Sequence, residues 1–385
     1  MGSFCVYFNS WGIVNSFGVF QTFYETDLLV SKSSSDISWI GSLQACLLLI
    51  IGVISGPLYD AGYFRHLLFA GVFLIVFGMM MTSLCTQYWQ VVLAQGVCVG
   101  FGQGFIFIPS VAIVSQYFTT RKALAQGIAS SGSSLAGIIY PIIFDRLRPR
   151  IGFGWATRVF AFTSLATLII PLCFMKVRIP PRSKRALVDW SAFREMPFNL
   201  FTVGSAIGFI GIYVPFFYAP YYATSTLGVS DGFSAYTISI LNAASIAGRL
   251  VANFIADKIG PLNVVTPFTL VASVVAFCWI ALRDEANLII FCIFYGFFTG
   301  CFVSLPPTVV MTLSPHLGVV GTRMGIVFAT CGLGLLIGTP VAGAILGSTN
   351  DFLGVEIFCG SVVAISGCML ALARIAKVGM GYQWA

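Results

Sequence analysis

The stretch KVRIPPRSKRALVDWSAFREMP, residues 176–197, is the only long polar segment in a chain of 385 residues. It sets Lys176, Arg178, Arg182, Lys184, Arg185 and Arg194 against only Asp189 and Glu195. The whole chain is 58% hydrophobic and 9% charged, with a mean hydropathy of +0.94. Soluble domains carry about a quarter charged residues, which they need to cover a water-facing surface. With so few charges, most of this surface must face lipid, and the chain reads as a membrane protein.

Outward from the polar segment, charge, proline and glycine divide the sequence into apolar runs. They fall at 3–24, 37–58, 67–85, 91–115, 123–144 and 156–175 before it, and at 200–222, 235–255, 264–282, 287–308, 324–346 and 355–373 after it. At 1.5 Å per helical residue, runs of this length cross the ~30 Å of bilayer hydrocarbon. The expected fold is therefore all-α, with 12 transmembrane helices in two six-helix bundles, residues 1–175 and 198–385, joined by the basic linker 176–197.

Basic loops stay in the cytoplasm. Placing the linker there also puts Arg65, Arg121, Lys122, Lys258, Arg323, Arg374 and Lys377 inside, which gives 6 + 7 = 13 internal basic residues. Lys32, Arg146, Arg148, Arg150 and Arg283, five in all, are left outside. Twelve spans then return both termini to the cytoplasm, most naturally at the cell membrane. The bilayer itself is the first expected partner, with anionic lipid beside the linker. A segment this short beside two bundles is the positive-inside signal, and no nucleic acid is expected.

The two halves repeat one another. GPLYDAGYFR (56–65) follows span 2 and NFIADKIGPL (253–262) closes span 8, each with an aspartate at the same helix end. RKALAQGIASSGSSLAGIIYP (121–141) and TRMGIVFATCGLGLLIGTP (322–340) each run from a cation through small residues to a late proline. Internal repeats of this kind mark secondary transporters.

Other classes find no support. The 11 cysteines stand singly in apolar runs and only His66 and His316 exist, so neither a disulfide framework nor a metal site is expected. There are no paired carboxylates and no Walker motif, so the chain reads as a carrier without catalytic machinery and with no cofactor. The glycines of GVCVGFGQGFIF (96–107) lie inside span 4 with no preceding strand, which makes them helix-packing glycines and not a nucleotide loop. MGSFCVYFNSWG has no basic flank for a signal peptide, and Val6 breaks the myristoylation pattern.

Arg249 is the one cation deep within a span. Asn242, Ser245, Arg249 and Asn253 share one helical stripe, which should face the interior. A guanidinium there would fork onto a substrate carboxylate; the competing reading is that Arg249 snorkels to the helix end. Asn15, near the middle of span 1, is either a cavity residue or an interhelical hydrogen bonder. In FIGIYVPFFYAPYY (209–222), Pro215 and Pro220 can break the helix. Tyr213 and Tyr218 are either cavity hydroxyls or belt residues, whereas Tyr221 and Tyr222 read as an outer aromatic belt. Arg158 reads as snorkelling. Asp60 and Asp257, with Arg65, Lys258, Arg121 and Lys122, sit at helix ends and read as cytoplasmic gate pairs.

This organisation resembles the major facilitator superfamily over the whole chain. NSWGIVNSFGVFQTFYE (9–25), SDISWIGSLQ (35–44), QYFTTRKALAQGIASSGSSLAG (116–137), GFGWATRV (152–159), GRLVANFIADKIG (248–260) and GTRMGIVFATCGLG (321–334) resemble the monocarboxylate porter family in its fungal-type branch. The resemblance implies alternating access, small organic anions as cargo, an arginine at position 249 as a ligand, and proton coupling as in animal members. Those members carry a lysine in span 1 and an acid one turn before the arginine. Here residues 1–31 contain no lysine and the second position is Ser245. The sequence also starts inside span 1, without the family's acidic-glycine lead, so a shortened or misassigned start is expected. Export of a secondary metabolite is the alternative cargo reading. A non-transporting sensor or an inactive remnant is the alternative from another class.

Overall fold

The computed structural model describes residues 1–118, 121–178, 189–315, 319–349, 351–379 and 381, without the side chains of Asp60, Ser115, Asp231 and Ala235. Ten helices among the described residues are long and apolar enough to cross a membrane. One of them, Lys122–Phe174, has 53 residues, about 80 Å of helix and more than two hydrocarbon thicknesses. It is two spans meeting at Gly152, where φ 76° and ψ 167° leave the helical region and suit only glycine. The expected loop at 145–155 is thus mostly helix, because residues 145–151 keep their backbone bonds until Gly152 reverses the chain.

Span 1 is the other departure. It is built from Gly2–Asn9, Trp11–Asn15 and Phe17–Phe23, followed by a wide turn at Tyr24–Leu28. No piece alone is long enough to cross. The breaks fall at Ser10 and Ser16, whose hydroxyls donate back to Val6 O and Gly12 O, each at 2.8 Å. Such back-bonding bends helices. A carbonyl freed inside a bilayer needs a protein donor, and Gln103 of span 4 supplies one, reaching Asn9 O at 3.2 Å and Ser10 O at 3.0 Å. With these two readings the spans number twelve and follow the sequence runs.

Within the first half, Ser34–Tyr59, Phe64–Thr82 and Tyr88–Val114 form spans 2 to 4; in the second half Met196–Ser225, Tyr236–Ile259, Pro261–Ala281, Glu285–Thr312, Val320–Thr349 and Leu353–Val378 form spans 7 to 12. Span 4 packs on spans 2 and 3, and span 12 on spans 7 and 9. The span 4 glycines do serve close packing: a Cβ on Gly102 would stand 2.8 Å from Gly71 O, and one on Gly104 2.8 Å from Leu47 O. The halves meet along span 2 against span 11 and span 5 against span 8. These two seams position the site.

Span 7 breaks at Ile212–Tyr213, just before Pro215, which lacks the N–H that would continue the ladder. Pro220 stays inside the second piece. Tyr222 is buried, edge-on to Trp279 and Phe352 at 5.6 and 4.9 Å, so it packs the second half and is not a belt residue.

Candidate functional site

The polar stripe of span 8 is buried against the small-residue stripe of span 5. Gly127 faces Asn253, Ser130 and Ser133 face Arg249, Ser134 faces Ser245, and Gly137 faces Asn242. A Cβ on Gly137 would collide with the Asn242 carboxamide, so glycine is what lets the two backbones approach. Arg249 is 2% exposed. Its Nη1 donates to Ser130 O at 2.6 Å and Ser133 Oγ at 2.7 Å, and its Nε to Ser245 Oγ at 3.2 Å.

Among the described residues no carboxylate pairs with this guanidinium. A cation held only by neutral oxygens keeps a large desolvation cost that an opposite charge would offset. The end-of-helix snorkelling reading does not describe this state, because the guanidinium points across the seam into span 5.

Three more expected residues join it. Asn15 Nδ2 donates to Asn242 Oδ1 at 3.1 Å, and the Tyr213 hydroxyl donates to Asn15 Oδ1 at 3.3 Å. All three are buried. Asn15, Asn242 and Tyr213 are one hydrogen-bonded set and Ser245 and Arg249 a second, one turn along the same face of span 8, and each set reaches both halves. Sequence reading missed the aromatic wall. Trp11 stacks on Tyr213 with centroids 5.5 Å apart and 25° between planes, and Phe107 and Phe209 flank Trp11 at 6.0 and 6.1 Å. Nothing in local spacing marks these rings; the small-residue run of span 5 was visible but read only as a repeat.

Tyr218 belongs elsewhere. Its hydroxyl donates to Thr339 O at 3.1 Å, in the seam at the end of the molecule far from the linker. There Ser35 Oγ also donates to Pro340 O at 3.0 Å, and Ser42 bonds Thr339. These contacts close the distal end. Arg158, also distal, donates to Ser83 Oγ at 3.1 Å and lies over the Trp155 ring.

The linker end is closed too, by a contact different from the expected ion pairs. Asp257 accepts from the backbone N–H groups of Ala123 and Leu124, at 3.1 and 3.0 Å. No salt bridge joins it to Arg121, Lys122 or Lys258 among the described residues. The first amides of a helix lack internal acceptors and carry the positive end of its dipole, so a carboxylate caps span 5 from the other half. Lys258 lies over the Phe254 ring at 4.3 Å and Arg65 is exposed. The Asp60 side chain lies outside the described residues, as do Arg182, Lys184 and Arg185. Arg323 is fully buried at the start of span 11 and binds the linker, with Nε 2.9 Å from Asp189 and Nη2 2.5 Å from Glu195.

Two cavities open at the ends and leave this central group covered. One of about 630 Å³ at the linker end is lined by Phe4, Tyr117, Arg121, Ile128 and Lys176. The other, about 290 Å³ at the distal end, is lined by Thr22, Asp27, Asp145, Arg148 and Thr224. No group of three or more His, Cys, Asp or Glu among the described residues could hold a metal ion.

Buried polar side chains between two helical halves, with contacts at both ends, suit a membrane carrier. Comparison with known proteins agrees. The family model described as Major Facilitator Superfamily matches residues 1–320. The chain is 44% identical to "MFS-type transporter dbaD" of Emericella nidulans over 97% of its length and 84% of the relative's. It is 38% identical to "Aspyridones efflux protein apdF" of the same organism, covering 97% and 77%. With "Agnestins efflux protein AgnL12" of Paecilomyces divaricatus it shares 36% identity, covering 97% and 86%.

Proposed function

The chain belongs to the major facilitator superfamily, and we propose that within it this protein exports a secondary metabolite that combines an aromatic body with an acidic group. Arg249 carries the reading: a guanidinium with no counter-charge among the described residues, beside two amides and a wall of aromatic rings, suits a cargo that brings its own negative charge. The names of relatives that refer to efflux of metabolites support export over uptake.

Residues 1–175 and 198–385 act as two rocking bundles joined by the 176–197 linker. The linker end and both termini face the cytoplasm of a cell-membrane carrier. Asp257 on the span 5 amides forms the cytoplasmic gate, and the Ser35, Ser42 and Tyr218 contacts to span 11 form the outer one. Proton exchange is the energy source we assign to export.

A second reading follows from the monocarboxylate porter resemblance, a small organic acid as cargo. The unpaired Arg249 favours it, whereas the aromatic wall favours the larger molecule. Proteoliposomes loaded with a panel of acidic aromatic metabolites and with lactate, pyruvate and acetate separate the two. Export of the aromatic acids, with slow passage of the small ones, is the expected result. Selective transport of the small acids would sink the metabolite reading.

A further inference from the structure

At the distal end of span 1 the wide turn Tyr24–Leu28 holds Glu25, half-buried, one helical turn after the fully buried Gln21. Gln21 Nε2 donates to Glu25 Oε1 at 2.8 Å and to Ser34 O of span 2 at 3.4 Å. The other oxygen of each group, Gln21 Oε1 and Glu25 Oε2, is buried and has no hydrogen-bond partner among the described residues. With the carboxyl ionised, both are acceptors and both stay empty.

An unmet buried polar atom is destabilising, and more so when it is charged. No cation offsets the charge among the described residues, since Arg148 is taken by Asp27 at 3.1 Å. The titratable groups nearest Glu25 are the phenols of Tyr218 and Tyr221 from span 7, with the Tyr218 hydroxyl donating to Thr339 O; the Ser34 hydroxyl of span 2 also stands near, without hydrogen-bond geometry to either vacant oxygen. Asp36 of span 2 is held by Ser33.

One proton resolves both vacant acceptors. On Glu25 Oε2 it creates a donor, and Gln21 Oε1 is the acceptor without one. Acid and amide can then pair in both directions, Gln21 Nε2 donating to Glu25 Oε1 as it does now and the protonated Oε2 finding its acceptor in Gln21 Oε1. The position gives this consequence. Ser35 and Tyr218, which close the seam against span 11, flank the pair, and Thr22 and Asp27 beside it line the distal cavity.

We infer that Glu25 is a proton-binding latch of the distal gate, protonated while the seam between spans 2 and 11 is closed and ionised once it opens to water. The proton comes from distal water onto the Glu25 carboxylate and returns to it on opening. The latch thus sets the gate's pH response and moves no net charge. It rests on the alternating-access reading and requires no particular cargo.

Ser35→Cys in a cysteine-depleted protein reports the seam. Its labelling by an impermeant maleimide from outside is normalised to the exposed Lys32→Cys, which removes the reagent's own pH dependence. The normalised rate should rise with external pH, by up to about tenfold per unit for one linked proton. Glu25→Gln should abolish the slope and hold the rate at its acid level. Glu25→Asp should keep the slope with a displaced midpoint. A parental slope in Glu25→Gln overturns the latch. If that variant fails to reach the membrane, a parental midpoint in Glu25→Asp overturns it instead. The labelling needs no cargo, so its failure is distinct from failure of the export reading.

Discussion

Replacing Arg249 tests the centre of the site. In the closed structure the guanidinium spends Nη1 on Ser130 O and Ser133 Oγ and Nε on Ser245 Oγ, all neutral acceptors. An acidic cargo entering the seam exchanges some of these for a charge-assisted pair, each such bond contributing about 1.5–3 kcal/mol. At 1.4 kcal/mol per tenfold, Arg249→Gln should weaken binding of an anionic cargo roughly 10- to 150-fold. Arg249→Lys keeps the charge and loses the fork, so an intermediate loss is expected.

The control is the methyl ester of the same cargo, which lacks the anion and should bind the parent and the Arg249→Gln variant within a few-fold. Isothermal titration on purified protein gives the affinities, and surface level with thermal unfolding shows whether the variant folds. Folding should not suffer greatly, because the substitution removes a buried charge that has only neutral hydrogen-bond partners, and no carboxylate, among the described residues. Equal affinity of a well-folded Arg249→Gln for the acid and the ester, both at the parental value, would refute the assignment and leave Arg249 as a seam-packing residue.

Asp257→Ala removes the cap on span 5, worth about 0.5–2 kcal/mol, and should shift the balance roughly 2- to 30-fold toward a state open at the linker end. Spin-label distances across that end read the shift, with cargo affinity changed by no more than a few-fold; an unchanged distance distribution would remove Asp257 from the gate. Gly137→Val places methyl groups where the Asn242 carboxamide lies, so the seam between spans 5 and 8 should not close and transport should stop at normal surface level. Normal turnover in that variant would show that close approach at this point is dispensable. Arg194→Cys, exposed in the linker, should resist an impermeant thiol reagent added to intact cells, and rapid labelling from outside would reverse the orientation.

Composition and punctuation in the sequence were enough for the apolar spans and for the face of span 8 that bears Asn242, Ser245, Arg249 and Asn253. These are properties of single helices: an apolar run has a length set by the bilayer, and residues three and four apart share a side whatever lies opposite. What lies opposite was decided only in three dimensions. Gly127, Ser130, Ser133 and Gly137 meet that stripe across more than 100 residues of chain, and Trp11, Phe107 and Phe209 join it from three further spans. Asp257 found backbone amides in place of cations because the start of span 5 happens to arrive there, and Tyr218 went to the distal seam because span 7 breaks one turn earlier. The breaks in span 1 were equally hidden, since Ser10 and Ser16 are tolerated in straight helices and bend this one, the Ser10 break where Gln103 donates to the freed carbonyls. Local pattern fixes which side of a helix is polar; partner choice is a sum of close contacts between helices, and it exists only once they are packed.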